Sequence, residues 1–359
     1  MTSRHNPSSG SPSYLAKERL TDYHTTLFRR LSWEGSVPLE IRVDSKELPA
    51  NSDRGLESYY MQAPRVSYLP LLMPEIRKYL MEVVFDEAAG KVLKEEDWWF
   101  ETEEGTTLKW HWPIGLIYDN HVISSSLRVP GSNPTSLVNP LRLILHLASP
   151  PTDKLLLNPS AEGCKQAFMG QLKEADFIRW GNTKRMTGLR KADQDGMWEG
   201  IREHNFEEYW RVASKVTPTV GSARSQSPSP SPLTMHSRPP SVDHAAAPEK
   251  DGAYNVRSVP VRLYLPDGPV IQDLVPPTLD DGTNHTLHHY LSSHVPLLFP
   301  PKSPMSPKRT NVFLDQAYVL IQGVAAPLEA EMAWLGACLA GADGWVNVCV
   351  GIRRGGLND

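Results

Sequence analysis

Cysteine is scarce in this sequence. Its 359 residues include three cysteines, Cys164, Cys338 and Cys349, and no two of them form a CxxC pair. An odd number of widely spaced cysteines argues against a disulfide framework or a cysteine-based zinc site, and it favours a reducing compartment. We therefore expect a cytoplasmic protein with free thiols.

Long apolar runs and a strong net charge are missing as well. No stretch of about 20 apolar residues occurs, so we expect no membrane-spanning segment. The polar N-terminus, residues 1–10, lacks the apolar core of a secretory signal. The 37 basic and 41 acidic side chains give a net charge of −4, which provides no overall attraction to nucleic acid. We expect no nucleic-acid partner, and any membrane contact must come from a local patch.

Common catalytic motifs are not found. The sequence contains no Walker A loop, no GxGxxG after a strand, no GxSxG and no HExxH. Its acidic runs at 95–97 and 280–281 consist of adjacent residues, which is typical of a solvated surface rather than of paired catalytic carboxylates. The sequence predicts no intrinsic active site, no cofactor and no metal site.

The cysteines and the histidines suggest two other kinds of site, a thioester site and a metal site. A ubiquitin-type conjugating enzyme needs a reactive thiolate, and Cys164, in the first turns of a predicted helix, has the most favourable position for one. We interpret all three cysteines as core thiols and keep the thioester enzyme as an alternative. His285 and His289 have the i, i+4 spacing of a metal-binding helix, but no third ligand completes the set nearby. His111, before Pro113, is interpreted as a structural residue at a turn.

Composition and hydrophobic periodicity divide the chain into seven predicted segments. They are a disordered N-terminus (1–13), a helix (14–33), a first α+β unit (34–151), a helix-rich region (152–216), a disordered Ser/Pro linker (217–252), a second α+β unit (253–354) and a tail (355–359). The linker is inferred from its Ser-Pro repeats, because such a segment has too few apolar groups to offset the entropy of ordering. The predicted fold class is α+β.

The pattern also predicts individual elements, and it places Leu31 on the apolar stripe of the helix at 14–33. In the first unit these are strands at 37–43, 59–64, 98–101, 106–110 and 141–147, and a helix at 74–85 that starts at Pro74. The helix-rich region has one helix after a Ser160 cap, with Cys164, Phe168, Leu172 and Ala175 on one apolar face, and a second helix at 193–214. The second unit has strands at 259–265, 318–321 and 345–352 and helices at 283–293 and 328–339. Its entry strand repeats the pattern of 37–43, including a proline beside the first valine, which suggests a weak internal repeat.

Several short strings occur in a fixed order along the chain. They are Pro64–Leu69, Leu108–Gly115, Phe168–Asp176 and Val259–Tyr264, with weaker ones at Gln322-Gly323 and Trp345–Ile352. Together they resemble the autophagy protein 5 family, over most of the chain from about residue 31 to residue 353. The resemblance implies two ubiquitin-like β-grasp domains flanking a helix-rich domain, preceded by an N-terminal helix.

The resemblance also implies a modification site. In that family a lysine between a methionine and a Glu-Ala-Asp string receives a ubiquitin-like modifier, and Met169–Asp176 matches this string, which assigns the isopeptide acceptor to Lys173. By its position alone Lys173 is a lysine on the surface of a helix. We expect its neighbours Glu174 and Asp176 to favour the charged amine.

The implied partners are macromolecules. Autophagy protein 12 would be joined to Lys173 by an E2-like conjugating enzyme, and the coiled-coil autophagy protein 16 would place a helix in a groove between the domains. The helix 14–33 and the first unit are the expected part of that groove. The conjugate would promote attachment of a second ubiquitin-like modifier to phosphatidylethanolamine at the preautophagosomal membrane. An unconjugated adaptor remains a second alternative.

Overall fold

The computed structural model describes residues 13–48, 57–85, 93–128, 140–156, 159–220, 252–301 and 317–352. The predictions of a disordered N-terminus, a Ser/Pro linker and a frayed tail fall almost entirely outside the described residues. Two edges of the predicted linker are described, since Thr219 and Gly252 form a β-bridge.

A first unit, residues 36–146, is one mixed sheet covered by helix α2. Its elements are β1 (Ser36–Val43), β2 (Tyr59–Pro64), α2 (Leu69–Val83), β3 (Trp99–Thr102), α3 (Ile114–Arg128) and β4 (Leu141–His146). The strand order is β2-β1-β4-β3, and β1 runs parallel to β4 and antiparallel to β2. Val37, Leu39 and Ile41 alternate toward α2, where they pack with Ile76 and Leu80.

A second unit, residues 253–352, repeats this arrangement. It contains β5 (Val259–Tyr264), β6 (Ile271–Val275), α8 (Leu287–His294), β7 (Ala317–Ile321), β8 (Val324–Ala325), α9 (Met332–Cys338) and β9 (Val346–Ile352). The order β6-β5-β9-β7-β8 again places the entry strand between an antiparallel and a parallel neighbour. The predicted repeat is present in the topology.

The shared proline has a physical reason. Pro38 is third in β1 and Pro260 is second in β5, and in each strand the parallel ladder begins one residue later, at Leu39 and Val261. A proline cannot donate a backbone hydrogen bond, so it is tolerated where the strand is not yet paired on both sides.

Between the two units lies a helical bundle, residues 161–216. Its helices are α4 (Ala161–Trp180), α5 (Lys184–Thr187), α6 (Lys191–Arg202) and α7 (Phe206–Ala213). The single helix predicted at 193–214 is wrong, because the chain turns between α6 and α7. His204 there has φ 51°, and the side chain of Asn205 accepts the backbone N–H of Glu208 to cap α7.

Two further predictions differ from the structure, and some elements of the structure were not predicted. Helix α2 begins at Leu69, with Pro70 in its first turn and Pro74 inside it. The predicted strand at 106–110 is a single bridge, between Glu101 and Thr107. Helix α3 and strand β6 were not predicted.

The predicted N-terminal helix is present as α1 (Ser13–Glu34). Its C-terminal half packs against α9 and the bundle rather than projecting into solvent. Arg29 donates hydrogen bonds to the backbone carbonyls of Gly336, Ala337 and Ala340, at 3.1, 2.7 and 2.6 Å. Leu31, predicted on the buried stripe, is 56% exposed.

Candidate modification site on helix α4

Helix α4 has well-defined ends. Ser160 Oγ accepts the backbone N–H of Gly163 at 3.0 Å, as the predicted cap requires. Gly181 closes the helix with φ 72°, a left-handed conformation that glycine adopts at little cost. The predicted inner face is confirmed, since Cys164, Phe168 and Leu172 are buried in the bundle core.

Lys173 lies on the opposite, solvent-exposed face of α4. Gly170, one turn before it, has open space around the position where a Cβ would lie. Phe177, one turn after it, is 53% exposed. Among the described residues no carboxylate lies within salt-bridge distance of Lys173. The amine is therefore accessible, and the approach to it is bordered by an open glycine and an aromatic ring.

The two acidic neighbours do not face Lys173 as expected. Oε1 of Glu174 accepts a hydrogen bond from Gln272 on β6 at 2.8 Å, and its other oxygen lies 3.4 Å from Arg262. Asp176 points inward, is 2% exposed, and accepts the backbone N–H of Met186 at 3.0 Å. Burial raises the pKa of Asp176, an effect that this hydrogen bond partly offsets. The Glu-Ala-Asp string thus anchors the helix.

Helix α4 is fixed to the second unit by an arginine. The guanidinium of Arg262, on β5, lies 3.8 Å from the ring centroid of Trp345 and donates a hydrogen bond to Gln171. Ala175 and Ile178 pack on the same buried Trp345. Gly344, with φ 87°, leaves no room for a side chain, because a Cβ there would lie 2.9 Å from that of Ala175. The backbone that carries Lys173 is therefore held against the second sheet.

The strings that carry the resemblance meet at the junction of the two units. Arg65 donates to a carboxylate oxygen of Asp119 at 2.5 Å and to the carbonyl of Gly115 at 3.1 Å. The same oxygen of Asp119 accepts the backbone N–H of Gly323 at 2.9 Å. Gly323 has φ 76°, and a Cβ there would lie 2.8 Å from Arg65. These strings form the contact between the units rather than a catalytic centre.

The thiols do not support a thioester enzyme. Cys164, Cys338 and Cys349 are all buried. Burial raises the pKa of Cys164 to about 12 and that of Cys338 to about 11, and it raises the pKa of Cys349 well above its ordinary value. A thiolate, the reactive form, is therefore disfavoured at each position.

The predicted histidine pair is not on one helix. Helix α8 begins at Leu287 after the Thr286 cap, so His285 precedes it, whereas the His289 ring contacts the capping Thr286. His111 is a structural residue at a turn, as predicted. Burial, together with the nearby charges of Lys109 and Arg262, lowers its pKa to about 4.

A groove separates the two units on the outer side of their junction. Its volume is about 300 Å³, and its lining includes Lys109, Trp112, Ile117, Tyr264 and Val270. Trp112 is half-buried in this lining, where it packs edge-on against Tyr264 with ring centroids 5.3 Å apart.

Comparison with known proteins agrees with this architecture. Residues 32–147 match the UblA domain of autophagy protein ATG5, residues 161–219 its alpha-helical bundle region, and residues 258–350 its UblB domain. The chain belongs to the autophagy protein 5 family. Autophagy protein 5 of Aspergillus fumigatus is 28% identical over 354 residues, which cover 90% of this chain and 94% of the relative. Autophagy protein 5 of Phaeosphaeria nodorum is 27% identical, and the alignment covers 91% of this chain and 97% of the relative.

A solved structure has the same fold. The crystal structure of Kluyveromyces marxianus Atg5 aligns with a TM-score of 0.62 at 20% identity, covering 90% of this chain and 98% of that one. Both sequences therefore build two ubiquitin-like domains around a helical bundle. Among the described helices of the present chain, none is long and apolar enough to cross a membrane.

Proposed function

We propose that this autophagy protein 5 relative is the acceptor in a ubiquitin-like conjugation, and that Lys173 forms the isopeptide bond. The observation that supports this most directly is the placement of Lys173. It is exposed on the helix that carries the family string, and its helix is anchored to the second ubiquitin-like domain. The proposed donor is the C-terminal glycine of autophagy protein 12.

The reaction requires little from the acceptor protein. The neutral amine of Lys173 attacks the thioester carbonyl on an E2-like enzyme, the C–N bond forms, the C–S bond breaks, and the thiolate leaves. A lysine is ordinarily protonated at neutral pH, so the docked enzyme must remove the proton. Holding the amine on a fixed helix lowers the entropic cost of the encounter. The chain itself supplies position rather than catalysis.

The conjugate has a further proposed role. Together with a coiled-coil partner, autophagy protein 16, it would act as a ligase toward the E2-like enzyme that joins a second modifier to phosphatidylethanolamine. The proposed place for the partner's helix is the groove lined by Trp112, Tyr264 and Val270, because an apolar helix face needs aromatic and aliphatic contacts. The first unit contributes to this lining as expected, whereas no described residue of α1, the helix predicted at 14–33, does. The assembly would work at the preautophagosomal membrane.

The test compares wild type with Lys173→Arg and Lys184→Arg by immunoblot of source cells under starvation. Lys184, on α5 of the same bundle, is also exposed and serves as the matched lysine. We expect a species larger by one small modifier in wild type and Lys184→Arg and its complete loss in Lys173→Arg, with a corresponding fall in lipidation. Persistence of the band in Lys173→Arg would assign another lysine. Its absence from all three would favour the unconjugated adaptor.

A further inference from the structure

Three side chains converge at one end of the first sheet. Asp44 and Glu47 follow β1, and His146 is the last residue of β4. Nδ1 of His146 lies 3.2 Å from Oε1 of Glu47 and 3.4 Å from Oδ2 of Asp44. The three atoms lie within 4.8 Å of one another. His146 is 102 and 99 positions from Asp44 and Glu47 in the sequence, and the parallel pairing of β1 with β4 brings it to them.

Two of the three separations match those of a tetrahedral metal site. Zinc binds histidine nitrogen and carboxylate oxygen at about 2.0–2.2 Å, which places neighbouring ligand atoms roughly 3.3 Å apart. Both distances from His146 agree with that value. Three protein ligands with water at the fourth position is a common zinc arrangement.

Each ligand is held in place by a second contact. One oxygen of Asp44 accepts the backbone N–H of Lys46 at 3.0 Å, and the other faces His146. One oxygen of Glu47 accepts the backbone N–H of Leu147 at 2.6 Å, and the other faces His146. The imidazole stacks on Trp99 with ring centroids 4.0 Å apart. Little side-chain motion remains to be lost on binding.

The far side of the imidazole provides an independent indication. Nε2 of His146 is buried without an aligned hydrogen bond, although Oε1 of Glu101 lies 3.0 Å away. A metal ion on Nδ1 places the ring proton on Nε2, where it can be donated to Glu101. Carboxylates orient metal-bound histidines in this way. Three carboxylates around one imidazole also leave a net negative charge that a divalent cation offsets.

We propose that Asp44, Glu47 and His146 bind a zinc ion, with Glu101 as the positioning residue for His146. The ion would join the end of β1 to the end of β4 and so stabilise the first ubiquitin-like domain. The site is distant in sequence from Lys173, and conjugation does not depend on it.

The test titrates the metal-free, full-length protein with zinc chloride by calorimetry, and with Co²⁺ to record the absorption of a tetrahedral site. We expect wild type to bind one equivalent of zinc and His146→Gln to bind none. Glu101→Gln should bind zinc about 10–100-fold more weakly than wild type. His289→Gln, a matched change in the histidine-rich segment, should retain that equivalent. Asp44→Asn, at a partly exposed position, should also lose it while keeping the wild-type circular dichroism spectrum.

Two results would overturn the proposal. If the four side chains form ion pairs only, wild type takes up no zinc under these conditions. If zinc binds elsewhere, His146→Gln and Asp44→Asn bind the same equivalent with unchanged affinity.

Discussion

At the scale of single residues, Asp176, in the string that contains Lys173, has a structural role. It is buried beside α5, and one of its oxygens has no hydrogen-bond partner. Because burial raises its pKa, the folded chain binds this proton more tightly than the unfolded chain does. The protonated carboxyl of Asp176 contributes fully to the free energy of unfolding below about pH 3.9, its pKa in the unfolded chain. This contribution is lost as the pH rises through its higher pKa in the folded chain. At neutral pH the charged carboxylate therefore costs stability.

We predict that Asp176→Asn raises the free energy of unfolding at neutral pH. The amide oxygen can still accept the N–H of Met186, and the buried charge is removed. The gain should shrink as pH is lowered from 8 to 5, and urea unfolding across that range measures it. Conjugation at Lys173 should be unchanged. A variant that is less stable at pH 7, or that loses the shifted band, contradicts this interpretation.

Residue patterns allowed some positions to be predicted. Helical periodicity placed Lys173 outside and Cys164, Phe168 and Leu172 inside, because these depend on one helix alone. The periodicity failed for Leu31, since the orientation of α1 is set by Arg29 and Trp33, which contact distant segments. The Asp44–Glu47–His146 cluster was not predicted for the same reason.

At the scale of elements, Arg29 joins α1 to the end of α9 through several hydrogen bonds. The last carbonyls of a helix lack intrahelical partners, and Arg29 supplies donors to those at the end of α9. The positive charge also opposes the negative end of the helix dipole. Phe28 adds an edge-on contact to Trp334, with ring centroids 5.1 Å apart.

We expect Arg29→Met to lower the free energy of unfolding by about 1–3 kcal/mol for each carbonyl left unsatisfied. Methionine retains an apolar stem of similar length but cannot donate. Arg30→Met is the matched control, because Arg30 is on the surface and pairs with Glu34 and Glu207. Such a pair contributes about 0–1 kcal/mol. Equal effects of the two changes on urea unfolding would show that Arg29 does not anchor the helix.

Helix α3 illustrates why an element can be missed in the sequence. Its Val122-Ile123-Ser124-Ser125 segment has weak helix propensity. In the folded chain Leu116 and Ile123 pack against Tyr318 and Cys349 of the second sheet. Tertiary burial therefore stabilises a helix that local preference does not predict. The same packing buries both faces of β9.

At the scale of the whole molecule, a buried ion pair of the first ubiquitin-like domain accepts a backbone hydrogen bond from Gly323 of the second. Arg65 and Asp119 have side-chain exposures of 9% and 5%. Burial raises the pKa of Asp119, and the adjacent Arg65 and the N–H of Gly323 partly counteract that effect. Asp119 accepts hydrogen bonds from Arg65 of the first domain and from the backbone N–H of Gly323 of the second. The pair therefore determines how closely Gly323 approaches the first unit.

We predict strong coupling between these two residues. Asp119→Leu or Arg65→Met alone leaves one buried charge without a partner and should cost about 3–5 kcal/mol. The double variant removes both charges and should recover part of that loss, although the N–H of Gly323 still lacks its acceptor. A double-mutant cycle by urea unfolding measures the coupling. The surface pair Arg77 and Glu95, changed in the same way, should couple by about 0–1 kcal/mol. If the effects of Arg65 and Asp119 are additive, the two charges do not act as a pair, which contradicts this interpretation.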